Sequence, residues 1–157
     1  MSRRQGIHPS TRIGGPPEAR EWNENKHWPY IGPEIDPTAL IGAFVTVDSG
    51  CDRPTRVGPR SFLMAKSHVG HDAVVGAGCE LATGCIIGGY AEIGDAAKIG
   101  LNAVVLPYRK VGEGATVGAG SVVTKDVPAG ETWCGNPARP VERNPVPYTE
   151  RERECVS

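Results

Sequence analysis

Aromatic residues are scarce in this sequence: Phe 2, Tyr 4 and Trp 3 among 157 residues, with Met at only 2. A core of large interlocking side chains is therefore excluded as the main source of stability. Net charge is nearly absent as well. Seventeen basic residues against 18 acidic ones give a formal charge of −1 and a pI near 6.4, which argues against nucleic acid or a membrane surface as the principal partner. No apolar run is long enough to span a bilayer, and Met1-Ser-Arg-Arg leads into polar residues, not into the apolar stretch of a signal peptide. The five cysteines lack metal-ligand spacing, and their odd total suits a reducing cytoplasm.

Glycine (21) and proline (14) are abundant, and one stretch shows how the glycine is used. Counting in sixes from Val57 gives Val57, Leu63, Val69, Val75, Leu81, Ile87, Ile93, Ile99, Val105, Val111, Val117 and Val123, with only Val, Leu or Ile at each anchor. Two residues before each anchor stands a small residue, from Thr55 and Ser61 through Cys79, Cys85 and Ala91 to Ser121; Arg109 alone breaks the column. Gly usually follows the anchor, where it is expected to permit unusual φ/ψ near a corner. A period of six fits neither an α-helix nor a hairpin. It fits an all-β solenoid of hexapeptide repeats, in which a short strand and a corner recur.

Ile35, Ile41 and Val47 are expected to form the first full coil, and Ile7 to Ile13 already reads as one repeat. The β-helix domain is placed at residues 35–141, with an irregular N-terminal arm at 1–34 and a C-terminal tail at 142–157. Asp48–Arg56 inserts four extra residues before Val57, and insertions in solenoids project as loops from one corner, often beside the binding face. Cys79 and Cys85 sit in the small-residue column and read as packing; His8 and His27 read as surface histidines.

If three hexapeptides close one coil, residues three repeats apart stack along one edge. One edge then collects His71 and Asp72, Gly89 and Tyr90, Tyr108 and Arg109, and finally Lys125 and Asp126. The other edges carry mainly small residues. An inward Arg109 is costly to bury, so the chain is expected to deviate locally and turn it outward. A carboxylate directly after His71 can fix the tautomer of its imidazole and raise its basicity.

Ser67-His-Val-Gly-His-Asp-Ala-Val-Val-Gly-Ala-Gly resembles the histidine-bearing segment of hexapeptide-repeat acyltransferases. The likeness is greatest to sialic-acid O-acetyltransferases and bacillosamine-type sugar N-acetyltransferases, and extends to the acyltransferase that opens lipid A synthesis. Ile99-Gly-Leu-Asn-Ala-Val-Val-Leu-Pro, Val117-Gly-Ala-Gly-Ser-Val-Val-Thr-Lys-Asp-Val-Pro and Gly135-Asn-Pro-Ala-Arg-Pro resemble the closing coils of acetyl-CoA-dependent members. The resemblance covers roughly residues 57–141. It implies a left-handed parallel β-helix, a homotrimer, and active sites in clefts between subunits. It also implies acyl transfer from acetyl-CoA to an amine or hydroxyl of a sugar-like acceptor, with no metal. His71 matches the general base, Asp72 the acid beside it, and Gly89 the glycine whose N–H lies near the thioester carbonyl. Lys125 and Arg139 match phosphate contacts of the acyl carrier, with Gly118 and Ala103 as further carrier-binding positions.

The sequence departs from the family at two places. The nucleotide-sugar or Rossmann-like N-terminal domain of the bacillosamine group is expected to be missing or replaced by residues 1–34, and Tyr108-Arg109 stands where Gly and an aliphatic residue are usual. These departures keep a second class open: a non-catalytic trimeric scaffold or decoration protein of a larger phage or cell-surface assembly, gripped through the terminal arms. A γ-type carbonic anhydrase-like metal protein is a third, although only His68 and His71 lie in the coils.

Overall fold

The computed structural model describes residues 6–15 and 30–142, and all regular structure in them is β. The assigned arms therefore fall largely outside the described residues, as do His27 and Cys155. No helix among the described residues is long and apolar enough to cross a membrane.

Among the described residues, eighteen short strands make three sheets of six, five and seven strands, parallel except for the last strand, and these are the faces of a left-handed β-helix. The six-residue period produces this directly. Two-residue strands alternate with corners, so each strand meets the strand three repeats on: His68 pairs with Ile86, Ile86 with Val104 and Val104 with Val122. The Ile35, Ile41 and Val47 strands stack on those of Val57, Leu63 and Val69, with the four-residue insertion absorbed in the loop between them. Above this coil, Arg12–Gly15 pairs with Thr46–Asp48, and Ile7 bridges to Ile41. The helix closes at the other end when Thr132–Cys134 pairs with Thr116–Val117 and then with the antiparallel return strand Arg139–Val141.

All twelve aliphatic anchors are buried, and so is every small residue of the column beside them. An aliphatic side chain taken fully out of water contributes about 1.5–3 kcal/mol, so this file of anchors replaces the missing aromatic core. Three hydroxyls in the small-residue column also hydrogen-bond. Thr55 Oγ1 accepts the Asp72 N–H at 2.9 Å, Ser61 Oγ donates to Gly76 O at 2.6 Å, and Ser121 Oγ accepts the Gly135 N–H at 3.0 Å. Ser67 Oγ differs: among the described residues it is the buried side-chain polar atom without a partner. Ser67→Ala is therefore expected to leave stability unchanged or raise it by up to about 1 kcal/mol, whereas Ser61→Ala lowers it by about as much. Urea unfolding of the two variants checks the contrast, and a loss for Ser67→Ala comparable to that for Ser61→Ala would refute it.

Two local expectations are corrected. The glycines after the anchors are required by space and not by φ. A Cβ on Gly70 would lie 2.9 Å from Gly89 N, and one on Gly88 would lie 2.6 Å from Pro107 N, in the backbone of the next coil. Positive φ occurs two residues later, at the second corner position, as in Gly78, Gly84, Asp72 and Tyr90. At Arg109, the expected deviation of the chain does not occur, because Lys110 and Val111 keep their register with Glu92 and Ile93. The guanidinium does turn outward and pairs with Asp126 at 3.6 Å. The coil beneath is shortened there, with Val127 and not a residue two further on bridging to Val111.

Candidate active site

His71, Gly89, Tyr90 and Tyr108 share one corner, as the count in threes predicts. Tyr90 N–H donates to His71 O at 2.9 Å, and Tyr108 N–H donates to Gly89 O at 3.0 Å. The imidazole lies directly over Gly89, where an added Cβ would come within 2.7 Å of His71 Nε2. Only a residue without a side chain leaves room for the ring in this position.

Asp72 is fully buried, and the 48–56 insertion is what buries it. The loop folds over the corner and aims successive backbone N–H groups at the carboxylate. Cys51 N–H donates to Oδ2 at 2.9 Å, while those of Asp52 and Arg53 donate to Oδ1, both at 2.8 Å. His71 Nδ1 lies 2.9 Å from Oδ2. Burial pushes the Asp72 carboxyl up, but the hydrogen bonds from Cys51, Arg53, His71 and Asp52 outweigh it and hold the group below its ordinary value. An ionised carboxylate only accepts. His71 Nδ1 therefore carries the proton, and Nε2, whose ring lies over Gly89, carries the lone pair.

Cys51 Sγ, a ring nitrogen of His71 and an oxygen of Asp72 lie within 4.8 Å of one another, a donor set that invites comparison with a metal site. The chemistry of the set does not fit. The two Asp72 oxygens already accept four hydrogen bonds, which fill their four lone-pair positions. A cation here would have to displace the loop.

The remaining predicted site residues lie further along the solenoid. Lys125 and Arg139 are exposed, and Arg139 Nη1 donates to Ala138 O at 2.8 Å. Lys125 is three coils from His71, about 14 Å at the usual spacing of parallel strands. Gly118 is half-buried and backed by the Cys134 side chain. Ala103 is fully buried in the small-residue column, so its methyl faces the solenoid interior. His68 belongs to a different network, with Nδ1 2.7 Å from Thr46 Oγ1 and Nε2 3.7 Å from Asp48 Oδ2.

Three features of the site are not contained in the repeat pattern: Asp52, Arg53 and the role of Tyr90. The length of the insertion pointed to the right corner, but nothing in its composition announced a carboxylate cage. An open groove elsewhere, lined by residues including Glu34, Arg56, Gly76 and Asp95, contains no imidazole or thiol.

The repeat and the fold have relatives among known proteins. Residues 54–89 match the family model "Bacterial transferase hexapeptide (six repeats)". The chain is 32% identical over 138 residues to the UDP-3-O-acylglucosamine N-acyltransferase of Methylorubrum populi, covering 86% of this chain and 39% of that protein. To the enzyme of the same name from Caulobacter vibrioides it is 53% identical over 109 residues, covering 69% and 32%. The chain thus spans between about a third and two fifths of the length of these curated relatives. The crystal structure of UDP-N-acetylglucosamine O-acyltransferase from Moraxella catarrhalis superimposes with TM-score 0.81 at 28% identity, over 96% of this chain and 56% of that one. A histidine mutant of GDP-perosamine N-acetyltransferase from Caulobacter crescentus, in complex with CoA and GDP-perosamine, gives 0.61 at 25%, over 87% and 55%. These relatives are acyltransferases of sugar-nucleotide acceptors. Its repeat, its coils and these matches together make the chain a member of the hexapeptide-repeat superfamily of left-handed β-helix proteins.

Proposed function

We propose that the protein transfers a short acyl group, acetyl in the simplest case, from an acyl-CoA thioester to an amine or hydroxyl of a sugar-like acceptor. The observation that carries this reading is the His71 corner, where a buried, ionised Asp72 holds Nδ1–H and leaves Nε2 as the basic nitrogen of a ring that lies over Gly89. Nε2 accepts the acceptor's proton as its nitrogen or oxygen attacks the thioester carbonyl. The Gly89 N–H donates to the oxyanion that forms, and collapse expels the carrier thiolate, which takes up the proton from the imidazolium. Lys125 and Arg139 serve the carrier phosphates as exposed cations. The complex of the perosamine N-acetyltransferase with CoA supports the choice of donor.

Charge distribution supports a homotrimer with His71 at the subunit boundary. The face bearing Glu34, Arg56, Val74, Glu92 and Lys110 points four charged side chains outward from five strands. The face bearing Arg12, Thr46, His68, Ile86, Val104 and Val122 has Arg12 at its outermost strand and no Asp, Glu, Lys or Arg at the five positions that follow. Ile86 on it and Leu106 at its border are exposed, an apolar strip of the kind that closed cyclic assembly covers.

The deciding experiment is calorimetric titration with acetyl-CoA, combined with sedimentation at micromolar concentration. Binding with a Kd below about 1 mM by a trimer is the expected result. A protein that fails to bind acetyl-CoA at millimolar concentration is not this enzyme. It then becomes the non-catalytic scaffold that the departures at Tyr108-Arg109 keep in view, while a monomer overturns the intersubunit site.

A further inference from the structure

Tyr90 stands at a corner of positive φ. Its φ is +60°, the left-handed conformation that this corner position adopts whether it holds glycine, as at Gly78 and Gly84, or a side chain, as at Lys66, Asp72, Asn102 and Tyr108. What sets Tyr90 apart is what its side chain touches. The ring packs edge-on against the His71 imidazole, with centroids 5.2 Å apart and planes at 88°, and stacks on Tyr108 at 4.9 Å and 6°. Its hydroxyl donates to the Asp52 carboxylate, the exposed side chain at the centre of the loop that cages Asp72. That hydrogen bond, with burial and the charges of Asp72, Asp52 and Cys51, pushes the phenol well above its ordinary value and keeps it a donor. Arg53 fastens the same loop a second time: Nε donates to Asp72 O at 2.8 Å, and Nη2 lies 3.6 Å from Glu92 Oε1.

We infer that Tyr90 is a positioning residue for His71. Through Asp52 it pins the 49–54 loop whose amides hold Asp72, and through its ring it stops the imidazole from turning, so that Nδ1–H stays on Asp72 and the ring stays over Gly89. The two restraints act on opposite ends of one unit. The hydroxyl governs the carboxylate, the ring governs the imidazole, and a loose loop releases both. Asp52 is thereby a member of the same unit, although it touches neither His71 nor Gly89 in any contact described above. The inference rests on His71 being the base, but its test uses no acyl donor.

The test is NMR of the full-length protein labelled with nitrogen-15, reading the His71 ring tautomer and the exchange of the Cys51, Asp52 and Arg53 amides. The wild-type protein is expected to show the Nδ1–H tautomer with those amides protected. Tyr90→Phe keeps the ring and removes the hydroxyl. It is expected to speed exchange of the three amides by about tenfold or more and to populate the Nε2–H tautomer. Asp52→Ala has the same effect, and Asp52→Asn, which retains an oxygen acceptor, restores wild-type behaviour. Because one hydrogen bond links the pair, the double variant Asp52→Ala with Tyr90→Phe should match either single variant. Asp52 is exposed, so its substitutions supply the answer even where a tyrosine variant fails to fold. Unchanged tautomer and exchange in Asp52→Ala, or additive effects in the double variant, would overturn the inference. A wild-type protein with these NMR properties that transfers no acyl group would overturn the base assignment and leave the positioning unit standing.

Discussion

His71→Ala is expected to lower turnover by roughly 10²–10⁴-fold, the range for losing a general base, while the fold survives. His71 is half-buried at a corner, and its removal leaves Asp72 still holding three backbone N–H groups. The stability cost is thus that of one hydrogen bond and one ring contact, about 1–2 kcal/mol. His68→Ala is the matched control. That imidazole lies on the neighbouring strand among Thr46 and Asp48, so its loss is expected to change turnover by less than about tenfold. Steady-state kinetics with thermal melts of both variants check the pair. Equal losses for the two histidines, or wild-type turnover in His71→Ala, would remove His71 from the chemistry.

The position of His71 was legible from counting alone. Hexapeptide anchors fix which residues point inward, and three repeats per coil fix which corners align, so His71, Gly89 and Tyr108 had to fall on one edge once the period was recognised. Burial followed for the same reason: the anchors and small residues that alternate in sequence are the ones that face the interior. Register in a solenoid propagates from coil to coil, which makes a local pattern informative over the whole stack.

What the period could not supply were contacts made outside it. The insertion before Val57 belongs to no repeat, so its fold over Asp72 depends on which carboxylate it meets and not on any spacing. The glycines after the anchors show a related blind spot. Their place was evident, but their cause is the approach of the next coil, as at Gly88 against Pro107. Only the stacked backbone reveals it. Arg109 broke the column for a reason equally remote in sequence, a carboxylate at Asp126.

Asp72→Asn carries the sharpest consequence of the cage, since one atom changes and both stability and turnover must respond. One side of the carboxylate accepts the N–H groups of Asp52 and Arg53; the other accepts those of Cys51 and His71. An amide turned either way satisfies one side and confronts two donors with its own NH₂. The expected loss is about 2–4 kcal/mol, as for breaking a buried charged network, or a fall in Tm of about 5–15 °C for a chain of this size. Turnover should fall by about 10–10³-fold, between wild type and His71→Ala, because an amide nitrogen facing Nδ1 favours the wrong tautomer. The pH dependence has a definite sign. The Asp72 carboxyl is held below its ordinary value of 3.8, so its contribution is complete above that pH and disappears as pH falls through the lower folded value. The gap in Tm between wild type and Asp72→Asn should therefore be constant from neutral pH down to about pH 5 and then narrow under acid. Thermal melts of the two proteins across that range measure it. A gap that is absent at neutral pH, or that widens as acid is added, would show that the loop amides do not hold an ionised Asp72.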